Sequence, residues 1–162
     1  MRVLGIDPSS QSTGFGIIEY SGNAYAVLSY GTIKPKRRAE LKDKLIEIKR
    51  GLDDLIRTYL PEEIAVENPF YARNIKTAIT LGQVRGAVLV AVAENNRPLF
   101  EYSPLEVKKA VTGYGQAEKG QVQTMVRTLL KIEGALEEDA SDALACAFCH
   151  LNTRLYQKRL EE

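Results

Sequence analysis

Three strand-like segments open this chain, and the gaps between them are too short to hold a helix. Arg2–Asp7 (RVLGID), Gly14–Tyr20 (GFGIIEY) and Ala24–Ile33 carry apolar, strand-type patterns. The polar stretch Pro8–Thr13 separates the first two. Ser21-Gly22-Asn23, a hairpin turn signal, separates the second and third. Parallel neighbours would need a crossover of about a dozen residues or more. The three segments are therefore predicted to form an antiparallel meander.

The period then changes. Leu41, Leu45, Ile48, Leu52, Leu55 and Tyr59 recur in steps of four and three, one face of a helix that Pro61 stops. Glu63–Glu67 (EIAVE) reads as a fourth strand. Thr77–Glu94 reads as a second helix, with Leu81, Val84, Val88, Ala91 and Val92 on one side. Its Gly82-x-x-x-Gly86 would admit a close neighbour, and packing within the molecule is the expected use. Leu99–Tyr102 is a fifth strand. Ser103-Pro104-Leu105-Glu106 is a capping box with Pro at the first helical position, opening a helix that ends near Gly113. Val122, Met125, Val126, Leu129 and Leu130 mark another helix. The last starts near Asp139 and runs through Leu155, leaving 154–162 as either ordered helix or frayed tail. The order βββαβαβααα predicts one α/β domain over 1–162, a five-stranded mixed sheet flanked by helices. A chain of 162 residues suits a single domain.

The longest apolar run, Ala87–Ala93, is far below the roughly 18 residues of a membrane span. No signal-peptide pattern opens the sequence. A cytoplasmic protein with no membrane partner is expected, its two cysteines reduced. A formal net charge of +1 does not announce nucleic-acid binding. The clusters Lys34-Pro-Lys36-Arg37-Arg38, Lys108-Lys109 and Arg154–Arg159 read first as solvated faces.

Four acids stand apart from this background. Asp7 ends the first strand and Glu67 the fourth. Asp139 and Asp142 open the last helix three residues apart, on one face. Catalytic groups of open α/β sheets gather at the carboxyl ends of strands. If strands one and four are neighbours, all four acids meet there. Such a group could not stay ionised unpaired. Hard divalent cations with oxygen ligands, Mg²⁺ or Mn²⁺, resolve the repulsion. Two ions about 4 Å apart activate water and stabilise a leaving oxygen in phosphodiester hydrolysis. Taken singly, a strand-end Asp is often a turn former, and a helix-start acid pair is often a cap. It is the order of the four that matches metal-dependent nucleases with a ribonuclease H-like fold.

A louder motif lies beside them. Cys146-Ala-Phe-Cys149-His150 spells the c-type haem attachment pattern. It sits inside a strongly periodic helix, where the cysteines read as small core residues. Two Cys and one His are also one ligand short of a structural zinc site.

The stretches GIDPSSQSTGFGII, AVENPFYARNIKTAITLGQVRGA, GYGQAEKGQVQTMVRTLLK and DASDALACAFCH resemble, together and in order, the RuvC family of Holliday junction resolvases over essentially the whole chain. The resemblance implies a homodimeric, Mg²⁺-dependent endonuclease that makes paired symmetric nicks in four-way DNA junctions during recombination and repair. It implies two Mg²⁺ per subunit, with Mn²⁺ able to substitute, and cooperation with the RuvA–RuvB branch-migration complex. It makes Asp7, Glu67, Asp139 and Asp142 the metal-binding catalytic acids. Phe70 matches an aromatic that stacks on an unpaired base, and Lys108 and Lys119 match residues that meet phosphates near the cut. Arg73 is basic at a DNA-facing position. Sequence alone would rank Lys108 no higher than Lys109, and it places Lys119 in a loop before a helix. Two rival readings are a junction-binding protein without cleavage and an actin-like ATPase. The phosphate loop of the latter is tolerably similar to GIDPSSQSTG, but it needs two lobes.

Overall fold

A computed structural model describes residues 1–68 and 74–161. The elements are β1 Arg2–Asp7, β2 Thr13–Ser21, β3 Ala24–Ile33, α1 Leu41–Tyr59, β4 Glu63–Glu67, α2 Ile75–Glu94, β5 Leu99–Tyr102, α3 Pro104–Thr112, α4 Lys119–Leu129 and α5 Glu138–Glu161. The strands form one sheet in the order β3-β2-β1-β4-β5. β1, β2 and β3 make the antiparallel meander. β4 joins β1 in parallel, and β5 joins β4 in parallel.

Helix ends differ from the sequence reading where a side chain caps the backbone. α2 starts two residues early because the Asn74 side chain accepts from the Thr77 N–H at 2.9 Å. The capping box at Ser103 and Glu106 forms as expected. Lys119 is the first residue of α4, not a loop residue, and the Gln121 side chain accepts from the Glu118 N–H at 2.9 Å. α5 continues as helix through Glu161.

Alternation along the strands sorts side chains between two cores. Leu4 and Ile6 of β1, Ile17 of β2, and Ile64 and Val66 of β4 pack against Ile48, Leu52 and Ile56 of α1 and Val84 and Val88 of α2. Val3, Ile18 and Ala65 face the other way, toward Leu144, Ala147 and Leu151 of α5 and toward α3 and α4. Full burial of Leu144 and Leu151 stabilises by about 1.5–3 kcal/mol each relative to exposure. The same alternation puts Gly5 and Asp7 of β1, and Glu63 and Glu67 of β4, on the α5 face.

α5 lies unusually close to that face, because glycines leave room for it. A Cβ on Gly5 would stand 2.0 Å from the Ala143 carbonyl oxygen. One on Gly14 would stand 1.9 Å from that of Asp139, and one on Gly16 would meet the Leu144 side chain at 2.6 Å. Gly5 and Gly16 are direct partners across β1 and β2, and Gly14 is the partner of Asp7. The three form a flat platform on which the helix backbone rests.

The glycines of α2 behave otherwise. Among the described residues, no atom outside the helix's own backbone lies within 4 Å of a Cβ built on Gly82 or Gly86, so the expected close packing is not seen there. They belong to an outward stripe with Ile75 (81% exposed), Ile79, Leu89 and Val90. By length and composition alone α2 is apolar enough to cross a membrane, a property that the short run Ala87–Ala93 had concealed. Its inner face nevertheless sits in the α1 core, and Arg85 at its middle donates to Asn68 at 2.9 Å and pairs with Glu101 of β5.

Candidate active site

β1 and β4 are adjacent and parallel, with Ile6 opposite Val66. One step further along each strand come Asp7 and Glu67, on the same face and at the same level. Behind Asp7, Thr13 is fully buried and ties the turn: its hydroxyl donates to the Ser9 carbonyl at 2.6 Å. The first turn of α5, seated over Gly14, brings Asp139 and Asp142 to the same end of the sheet.

The charges of these acids reach one another. The Asp7 carboxyl is pushed up to about 8, first by burial and then by the charges of Glu67, Asp142 and Asp139, with Lys119 pulling the other way. Glu67 is raised to about 7 by burial and by Asp142, against Lys119 and Lys108. Asp142 is raised by burial despite its contact with Lys119. Glu67, Lys108, Lys119 and Asp142 line one cleft of about 160 Å³, floored by Val107, Val122 and Ala145. Lys109, the neighbour that sequence could not separate from Lys108, instead faces a groove with Tyr102 and Cys149. Phe70 and Arg73 lie outside the described residues.

Among the described residues, no three His, Cys, Asp or Glu side chains already converge as a ligand cage. The donor chemistry fits a hard divalent cation all the same. The donors are all oxygens, they repel one another, and two of them are held near neutrality by that repulsion and by burial. A stability consequence follows. Asp7 and Glu67 hold protons more tightly folded than unfolded. Their stabilising contribution is complete below the ordinary carboxylate range and is lost as pH rises through about 7 and then about 8. Without divalent metal, the Tm should therefore fall across that window, and added Mg²⁺ should restore it at the upper end. A double variant Asp7→Asn/Glu67→Gln should lose the slope. An unchanged slope in that variant would assign it to other groups.

A second network, at the opposite end of β4, was not read from sequence. His150 is fully buried, with Nε2 2.6 Å from Glu63 Oε2 and Nδ1 2.7 Å from the Tyr102 hydroxyl. A neutral imidazole satisfies both contacts, donating to the carboxylate and accepting from the phenol. Arg154 donates to both oxygens of Glu63 and lies over the Phe100 ring. The alternation Glu63-Ala65-Glu67 was the available signal: it gives β4 one acid at each end of a single face. The network also disposes of the haem pattern. Cys146 and Cys149 are buried thiols, the latter pushed up to about 12 mainly by burial, and both nitrogens of His150 are engaged.

The family described as "Crossover junction endodeoxyribonuclease RuvC" matches residues 3–150. A curated relative of that name from Petrotoga mobilis is 45% identical over 155 residues, covering 95% of each chain. Another, from Caldanaerobacter subterraneus, is 43% identical over 161 residues, covering 99% of this chain and 98% of its own. T. thermophilus RuvC, solved in complex with Holliday junction substrate, matches with a TM-score of 0.89 at 32% identity over 96% of each chain. The yeast mitochondrial Holliday junction resolvase matches at a TM-score of 0.72 and 12% identity, a likeness of fold alone. The five-stranded mixed sheet flanked by helices is the ribonuclease H-like fold.

Proposed function

Because this chain belongs to the RuvC family of crossover junction endodeoxyribonucleases, we propose that Asp7, Glu67, Asp139 and Asp142 are its metal-binding catalytic acids, and that it resolves four-way DNA junctions by paired symmetric nicks. The enzyme is a nuclease that hydrolyses DNA phosphodiester bonds. The observation that carries the site is the level placement of Asp7 and Glu67 on adjacent parallel strands, beneath the first turn of α5.

Nucleases of this family use divalent metal ions. We assign two Mg²⁺ per subunit to the four acids, with Mn²⁺ able to substitute. Bound there, such ions supply an activated water and stabilise the leaving oxygen. The chain's own residues do the rest. Asp7 and Glu67, fixed by the sheet, hold one side of the reacting centre, and Asp139 and Asp142 hold the other. Lys108 and Lys119, on the cleft wall, meet the phosphates flanking the cut. Phe70 stacks on an unpaired base at the crossover, worth about 1–3 kcal/mol per base, and Arg73 faces the DNA.

The enzyme works as a homodimer on this reading. A four-way junction has approximate two-fold symmetry, and a C₂ dimer offers two equivalent sites to it. Ile75, Ile79, Gly82, Gly86, Leu89 and Val90 of α2 supply an exposed apolar stripe, and its two glycines allow a second helix to come close. RuvA–RuvB is the expected partner complex, and the cytoplasm the expected compartment.

A cleavage assay tests the function. A synthetic four-way junction should be nicked in symmetric pairs in Mg²⁺, bound with little cutting in Ca²⁺, and left intact with chelator. Linear duplex of the same sequence should be cut far more slowly. Equal cleavage of duplex and junction would overturn the structure selectivity.

A further inference from the structure

Lys119 sits in a fork made by a single helix. Its Nζ pairs with Glu138 and stands 3.0 Å from Asp142 Oδ2. Glu138 and Asp142 are one turn apart on the same face of α5, so one lysine stem reaches both. The two prongs differ. Asp142 is largely buried, lines the cleft with Glu67, and belongs to the acid cluster. Glu138 is well exposed at the helix start and belongs to none of the groups assigned to the reaction.

The inner prong is contested. If Asp142 gives its oxygens to a divalent cation, the ammonium cannot keep them. A lysine ammonium is a cation at neutral pH, and both groups that it contacts in the fork are carboxylates. A displaced Lys119 therefore needs another anion. The outer prong already offers one, with no backbone movement, on the exposed side of the fork.

We propose that Glu138 is a positioning residue: it retains Lys119 at the mouth of the cleft when a divalent cation takes Asp142, so that the ammonium is available to the incoming phosphate. This rests on the reading of Asp142 as a metal ligand. Without Glu138, Lys119 pairs with Asp142 alone and opposes metal binding more strongly.

Metal binding in the absence of DNA tests this without reference to activity. Free Mn²⁺ is titrated and read by electron paramagnetic resonance for the wild-type protein, Glu138→Gln, Lys119→Ala and the double variant. Lys119→Ala should bind Mn²⁺ about two- to fivefold more tightly, the scale of an exposed ion pair. Glu138→Gln should weaken Mn²⁺ binding by a similar factor when Lys119 is present and much less when it is absent, so that the two effects do not multiply. Glu138→Asp, which keeps the charge, should recover part of the affinity. Equal weakening by Glu138→Gln in both backgrounds would overturn the proposal, since it would reflect only the loss of a nearby negative charge. Asp142→Asn in the Lys119→Ala background separates the premise from the inference. Unchanged Mn²⁺ binding there removes Asp142 as a ligand, and the proposal with it. Weakened binding without Lys119–Glu138 coupling overturns the role of Glu138 alone.

Discussion

Asp7→Asn should lower junction cleavage about a thousandfold or more, since loss of metal-assisted charge stabilisation is worth several kcal/mol and each 1.36 kcal/mol is tenfold in rate. Junction binding should barely change. Asp7 is the acid whose charge meets all three of the others. Asparagine keeps its volume and one oxygen but removes the charge that a cation needs. Lys108 and Lys119, the proposed phosphate contacts, remain on the cleft wall. The variant should also melt no lower than the wild type without metal, because asparagine needs neither to take up a proton on burial nor to bear a repelled charge. The checks are single-turnover cleavage in Mg²⁺ beside a gel-shift titration in Ca²⁺. Undiminished Mg²⁺-dependent cleavage would remove Asp7 from the catalytic set. Equal loss of cleavage and binding would make it a DNA contact instead.

The second large effect should come from a residue with no side chain. The Cβ of Gly14→Ala would be placed 1.9 Å from the Asp139 carbonyl oxygen and 2.4 Å from its carbon. These are backbone atoms, so no rotamer relieves the clash, and the first turn of α5 has to lift by about 1 Å or more to reach ordinary contact distance. Overpacking of this kind costs about 1–3 kcal/mol of stability. Misplacing catalytic groups by about 1 Å can cost about a hundredfold in rate. Cleavage should therefore fall far more than the shift in Tm would suggest. A Tm loss with full activity in the folded fraction would show that the platform serves stability only.

These two residues mark what sequence could and could not disclose. Asp7 was legible as a candidate because a polar acid ends an apolar strand, and because Glu67, Asp139 and Asp142 follow in order. Their meeting depended on β1 and β4 being neighbours, which no local pattern states and the parallel register now supplies. Gly14 and Gly16 read only as members of a strand. Their use depends on a helix that begins more than a hundred residues later and comes within van der Waals distance. The Gly82/Gly86 pattern was ambiguous for the mirror-image reason: its spacing promises a close neighbour without saying whether it lies within the molecule, and among the described residues nothing comes near. Glu63 read only as the first residue of a strand because its partners, His150 and Arg154, sit at the far end of the sequence. Lys119 looked like a loop residue because Glu118 is a weak helix-start signal, even though Gln121, three residues on, accepts from its N–H.

The buried contact between His150 and Glu63 makes α5 a beam clamped at two points. At about 1.5 Å per residue, Asp139 lies roughly 16 Å along the axis from His150, so a tilt of about 5° about that pivot would swing the acid by more than about 1 Å. Accuracy at the end that carries Asp139 and Asp142 is thus leveraged from the far end of the helix. The glycine platform is the second clamp, setting height where the histidine sets angle. Between the two clamps, buried Leu144 and Ala147 keep the helix seated on the sheet.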